Sequence, residues 1–245
     1  MRKLLTGAVA ASATLALAAG AAAQVSTPSG DATLDVSASP SNAGTKKKPK
    51  NVRLSFKQVV NKPGTTVQTI TVDLPKGLKF SGKGFKRCNF DDLVAQGPSA
   101  CPSGSKVGPT GRATARLEPA ISGQSDLVFQ VSPFIENSKT VAIYLRTTAG
   151  LEIQTAIRGK LTNSGRRMTI EIPMSLRQPL PGLDATLTGI DQLFSGKRGK
   201  NYFVSSTGCT GKKWAVKGSL GFATRSNGTP GPPSESLTEN VRCSK

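Results

Sequence analysis

The sequence predicts an all-β protein: an antiparallel β-sandwich of Ig-like or jelly-roll type, with one short helix inside a disulfide loop. Three observations carry that expectation. Apolar and polar residues alternate over many short runs. Turn formers separate the runs about every ten to fifteen residues. No long stretch keeps the 3.6-residue apolar period of a helix.

Taken in order, Leu34, Val36 and Ala38 alternate with Thr33, Asp35 and Ser37, the period of a half-buried strand. Residues 39–50 are a polar, basic connection carrying Lys46, Lys47, Lys48 and Lys50. Val52, Leu54 and Phe56 restore the alternation, as do Ile70, Val72 and Leu74. Asn61-Lys62-Pro63-Gly64 turns between the two runs, as in a hairpin or between two strands of a sandwich.

A Pro75-Lys76-Gly77 turn then leads to Cys88 and Cys101, which bracket a short ring. Asn89 is a good N-cap, Asp91 and Asp92 suit the positive end of a helix, and Gly97-Pro98 stops it. About two helical turns are predicted there. Ala113 to Leu117 reads as a strand cut off by Pro119.

The middle of the chain has the strongest strand signal, in Leu127, Phe129 and Val131, then Val141, Ile143 and Leu145, then Leu151, Ile153 and Ile157, then Met168, Ile170, Ile172 and Met174. Pro173 inside the last run marks an edge strand or a bulge. Farther on come a basic loop with Lys197, Arg198 and Lys200, a strand from Tyr202 to Ser205, and another from Trp214 to Phe222. Trp214, alternating beside a cysteine, reads as core.

Residues 1–23 have the pattern of a signal peptide. Arg2 and Lys3 precede an apolar run to Ala19, and Ala21-Ala22-Ala23 fits small-residue cleavage before Gln24. The exported β region would then span 24–245, with two Ig-like units, 31–120 and 121–245, as the alternative. No later stretch has the roughly 18 apolar residues of a membrane helix. Losing Arg2 and Lys3 reduces the formal charge of +19 by two, to +17, which attracts polyanions such as anionic cell-wall polymer, acidic polysaccharide or lipid headgroups.

Four cysteines in an exported chain argue for two disulfides. Three pairings are open. Cys88 with Cys101 and Cys209 with Cys243 is favoured, because each pair brackets one turn-rich segment and neither makes the chain cross itself. The chain-entropy estimate is roughly 3 kcal/mol for the first ring and roughly 4 kcal/mol for the second.

The order Leu74-Pro75-x-Gly77-Leu78, then Cys88, then Cys101-Pro102-x-x-Ser105-x-Val107-Gly108, and finally Cys209-x-Gly211-x-x-Trp214 with Cys243 near the end resembles a group of uncharacterised exported actinobacterial proteins. The resemblance spans most of the chain after residue 23 and implies a secreted, β-rich protein. Leu74 to Phe80 alone is similar to the strand and turn of Ig-like repeats in bacterial surface proteins.

The sequence is poor in residues for chemistry. It has no His, which removes Ser-His-Asp and Cys-His arrangements and the commonest zinc ligand. Ser103-x-x-Lys106 has the spacing of a penicillin-binding nucleophile and base. It lies in a Pro/Gly-rich loop, however, and no Lys-Thr-Gly follows. No Gly-rich phosphate loop is present. Two Tyr and one Trp leave little for an aromatic sugar or single-strand platform.

The sequence therefore predicts a non-catalytic secreted or cell-envelope structural or interaction protein with no cofactor and no metal. It would adhere to anionic surface polymer through Lys46, Lys47, Lys48, Lys50, Lys197, Arg198 and Lys200, and no specific nucleic acid is expected as a partner. The alternative is a secreted hydrolase with two carboxylates across a cleft, drawn from Glu118, Asp126, Glu136, Glu152, Glu171, Asp184 and Asp191.

Overall fold

A computed structural model describes residues 24–27, 31–121 and 124–245. The predicted signal peptide lies outside them. Strand makes up 56% of the structure against 8% helix, so the class is all-β. The strands are β1 (Val25–Ser26), β2 (Ala32–Ser39), β3 (Lys50–Asn51), β4 (Arg53–Val60), β5 (Thr66–Asp73), β6 (Leu78–Phe80), β7 (Gly111–Ile121), β8 (Gln124–Asn137) and β9 (Thr140–Ala149). They continue with β10 (Gln154–Thr162), β11 (Arg167–Glu171), β12 (Asp184–Phe194), β13 (Lys197–Arg198), β14 (Asn201–Tyr202), β15 (Val204–Ser206), β16 (Lys213–Ala223) and β17 (Glu235–Arg242). Two short helices, α1 (Phe90–Gln96) and α2 (Met174–Arg177), interrupt them.

Twelve strands form one antiparallel sheet in the order β1-β2-β4-β12-β7-β8-β9-β10-β11-β5-β16-β17. It curls until its two ends lie side by side, giving a large, nearly closed, barrel-like sheet where two clearly separate stacked sheets were expected. Curling is what a right-twisted ladder of this width does to bury one face. The inward face is the alternating apolar set of the sequence: Leu34, Val36, Leu54, Phe56, Val72, Leu127, Val131, Ile143, Met168 and Trp214 are all buried in one cluster. Trp214 is fully buried and donates its indole N–H to the Gly208 carbonyl at 2.9 Å.

Beyond the two-residue β1, the ends of the sheet meet without a ladder between β2 and β17. Instead, the chain just beyond each strand is joined. Ala43 donates its amide to the Ser244 carbonyl at 2.8 Å, and Ser244 donates its own to the Ser41 carbonyl at 3.0 Å. The Cys209–Cys243 disulfide fastens the next residue, and Cys243 also donates its amide to the Lys212 carbonyl at 2.9 Å. Across the interior, β16 approaches β2 and β4 so closely that a Cβ on Gly218 would lie 3.3 Å from Phe56 and 3.4 Å from Leu34. A larger residue there would push two core side chains off their rotamers.

Cys88–Cys101 closes the other ring, on the outer face of the sheet. Asn89 caps α1 by accepting from the Asp91 and Asp92 amides, and Leu93 buries itself against Phe134, Ala142, Tyr144 and Ala156 of β8, β9 and β10. The chain beyond Gly97 continues as a 3-10 turn to Ala100 instead of stopping.

Three local expectations change. Pro173 is in no strand: it precedes α2, while β11 ends at Glu171 and lies between β10 and β5, well inside the sheet. Proline cannot donate to a ladder, so it stands where the ladder ends. Pro119 does not end β7, which runs on to Ile121 through an irregular register after Arg116. The Asn61–Gly64 turn joins no hairpin, since β4 pairs with β2 and β12 while β5 pairs with β11 and β16.

Strands from either side of Ala120 interleave along the ladder, β7 between β12 and β8, and β5 between β11 and β16. Limited proteolysis near Ala120 followed by size-exclusion chromatography is expected to leave one non-covalently held body. Two separable stable halves would contradict the shared core.

Candidate functional site

Both basic segments singled out in the sequence lie at the same end of the sheet, built around β15. This strand pairs with β3 through Ser205–Asn51 and Ser206–Lys50, and with β6 through Val204–Phe80. The Lys46–Lys50 segment sits on it, with Gly44 donating its amide to the Ser206 hydroxyl at 3.4 Å and Val52 to the Val204 carbonyl at 3.0 Å. The β13–β14 hairpin, which carries Lys197, Arg198 and Lys200, leads directly into β15. It is held where Phe203 donates to the Gly196 carbonyl at 2.9 Å. All seven predicted contact residues are exposed.

The fold adds cations that the sequence reading left out. Lys83, Lys86 and Arg87 follow β6, and Gly84 there lies against the Asn201 side chain of the hairpin. Lys86 donates its amide to the Gly104 carbonyl at 3.2 Å, and Gly104 lies beside the Arg198 side chain. Lys106 precedes Val107, whose carbonyl accepts from the Ser195 and Gly196 amides, and Lys139 follows Ser138, whose carbonyl accepts from the Gly82 amide. Three cations in five residues beside Cys88 were a visible signal; Lys106 and Lys139 stand alone in the sequence and are recruited only by the fold. Among the described residues, none of these twelve side chains has a carboxylate within ion-pair distance. Exposed like charges without acidic partners, gathered at one end, raise a local positive potential that attracts counter-anions.

The opposite end holds its cations in ion pairs. Glu118 and Asp184 face each other across β7 and β12, and Arg225 joins them, at 2.8 Å to Glu118 and 3.2 Å to Asp184. Gly64 donates its amide to Glu118, and Lys62 pairs with Glu235 nearby. The other acids considered for hydrolysis are dispersed. Asp126 lies by Arg116, Glu136 binds Arg158, and Glu171 lies 3.9 Å from Lys160. Asp191 stands opposite Lys57 and Arg112, and Glu152 is exposed in the loop before β10. Glu118 and Asp184 are thus the pair that the fold unites, and a single guanidinium bridges them.

No protein-family profile, no curated protein and no solved structure matches the chain. Among the described residues, no helix is long and apolar enough to cross a membrane, and the two disulfides suit an oxidising, extracellular environment.

The side chain of Asp184 is only 3% exposed. Burial alone would raise its pKa, but the Ser226 hydroxyl and amide and the Arg225 guanidinium outweigh burial and hold it below the ordinary 3.8. A depressed carboxylate stabilises the fold above its unfolded pKa, and that contribution is lost as the pH falls through the folded value. Asp184→Asn is therefore expected to cost about 2 kcal/mol near neutral pH, with the gap to wild type narrowing below about pH 4. Urea unfolding across that range measures it; a gap independent of pH would contradict the assignment.

Proposed function

We propose that the chain is an exported, non-catalytic interaction protein that adheres to anionic cell-envelope polymer through its basic end. Export rests on the signal-like residues 1–23 and agrees with the two disulfides. The observation that carries the proposal is the meeting of Lys46–Lys50 with the Lys197–Lys200 hairpin around β15, joined by Lys83, Lys86 and Arg87. These groups are far apart in sequence, exposed and without acidic partners among the described residues. The opposite end holds its Arg225 in ion pairs.

Point-charge lysines on short loops suit a polymer with closely spaced phosphates or carboxylates, such as teichoic acid, and call for no base or sugar recognition. Affinity then comes from neutralised charge and counterion release, so salt should govern it.

Retention of the purified protein on isolated cell wall is expected at low salt, falling about tenfold or more as salt approaches physiological strength. Lys46, Lys47 and Lys48 changed together to Glu, and separately Lys197, Arg198 and Lys200 changed together to Glu, should each weaken retention and flatten its salt dependence. Charge reversal of Arg116, which stands opposite Thr186 of β12 toward the other end, should weaken it much less. No retention at low salt, or equal loss from all three variants, would remove the proposal.

A further inference from the structure

The interior of the sheet is not filled. A cavity of about 120 Å³ lies between the inward faces of β4, β5, β7, β8, β9 and β12, and its walls are almost wholly hydrocarbon, including Phe56, Ile70, Ala115, Val131, Ile143 and Leu187. An apolar hollow of similar size, roughly 150 Å³, stays dry and accepts benzene. One polar group reaches the wall. Gln192 is 4% exposed and spends its amide N–H groups on the Pro109 and Leu193 carbonyls, while its Oε1 has no partner among the described residues.

The cavity leads to a gap in the sheet. β10 and β11 pair only from Gly159 to Thr162 of β10, because β11 ends at Glu171 and Pro173 turns the chain into α2. The stretch Gln154–Arg158 therefore has no strand on that side, and a recess opens there. Ile157 and Ile172 line both the recess and the cavity. Its remaining wall carries Arg158, Lys160 and Arg177 against one acid, Glu171.

Two of these cations are engaged, Arg158 with Glu136 and the Phe90 ring, Lys160 with Glu171. Arg177 gives only its Nε–H, to the Ile172 carbonyl at 3.0 Å, and has no carboxylate partner among the described residues. Leu176 beside it lines the cavity. Met174, 61% exposed, adds apolar surface on the same short helix as Arg177.

We propose that the sheet holds a single-chain anionic amphiphile, a fatty carboxylate, with its hydrocarbon end in the cavity and its head group in the gap at Arg177. The apolar walls select the chain and the unpaired guanidinium selects the charge, since it can grip a carboxylate with two parallel N–H donors. This site is separate from the basic end, so its occupancy does not depend on polymer adhesion.

Isothermal titration of the purified protein with hexanoate, octanoate and decanoate, and with the matching alcohols, tests it. Affinity is expected to rise about fourfold per added methylene until the cavity is full, with each carboxylate binding more tightly than its alcohol. Arg177→Met should abolish that preference and leave alcohol binding intact. Ala115→Leu, which fills the cavity, should remove binding of both while circular dichroism stays native. If Ala115→Leu fails to fold, the Arg177→Met comparison decides alone. Lys46, Lys47 and Lys48 changed to Glu should bind decanoate normally, even if adhesion to cell wall fails. The absence of binding by any ligand, affinity independent of chain length, or no carboxylate preference for Arg177→Met to abolish would overturn the proposal.

Discussion

Closure of the sheet is the constraint from which the rest follows. A twelve-stranded antiparallel ladder with one apolar face must curl to cover that face, and its two outer strands then meet with unpaired backbone edges. Here β2 and β17 share no ladder. What holds them is a pair of backbone hydrogen bonds between Ser41–Ala43 and Ser244, one residue from the Cys209–Cys243 bond. The second disulfide is therefore more than a restraint on a terminal segment. It places the last turn of chain where that segment completes the wall.

Closure also sorts the molecule by charge. Once the sheet has curled, every second loop lies at one end. The loops after β2, β6 and β12 bring their lysines and arginines together around β15, while the loops at the other end bring Glu118, Asp184 and Arg225 into mutual contact. The same curling leaves more interior than the side chains fill. Small residues Ala113, Ala115 and Ala185 line it together with Phe56, Phe129 and Phe194, and a hollow persists between them. Wide barrels leave ligand space for this geometric reason.

Much of the local structure was legible in the sequence. Period-two alternation located the strands, Asn89 with Asp91 and Asp92 located α1, and Trp214 read correctly as core. Of the three open disulfide pairings, the favoured one is the one the structure holds. The order of strands in the sheet was not legible, because alternation states which face a residue occupies and not which strand it sits beside. Asn61-Lys62-Pro63-Gly64 has the composition of a hairpin turn, yet it links β4 to β5, which are not neighbours in the sheet. Pro173 was read as the mark of an edge strand or a bulge and is instead the point where β11 gives way to α2 and the wall opens. Of the basic site, the two lysine-rich loops were visible as charge runs. That they share one end depends on pairings of β15 with β3 and β6, which no local pattern encodes.

Residue-resolved amide hydrogen exchange on the oxidised protein tests the closure most directly. The Ala43 and Ser244 amides, which lie in short irregular segments, should be protected nearly as strongly as those of β4 and β12, and lose that protection when Cys209–Cys243 is reduced. If Ala43 and Ser244 exchange at the rate of exposed loops while β4 and β12 stay protected, the two ends of the sheet are not joined and the wall is open.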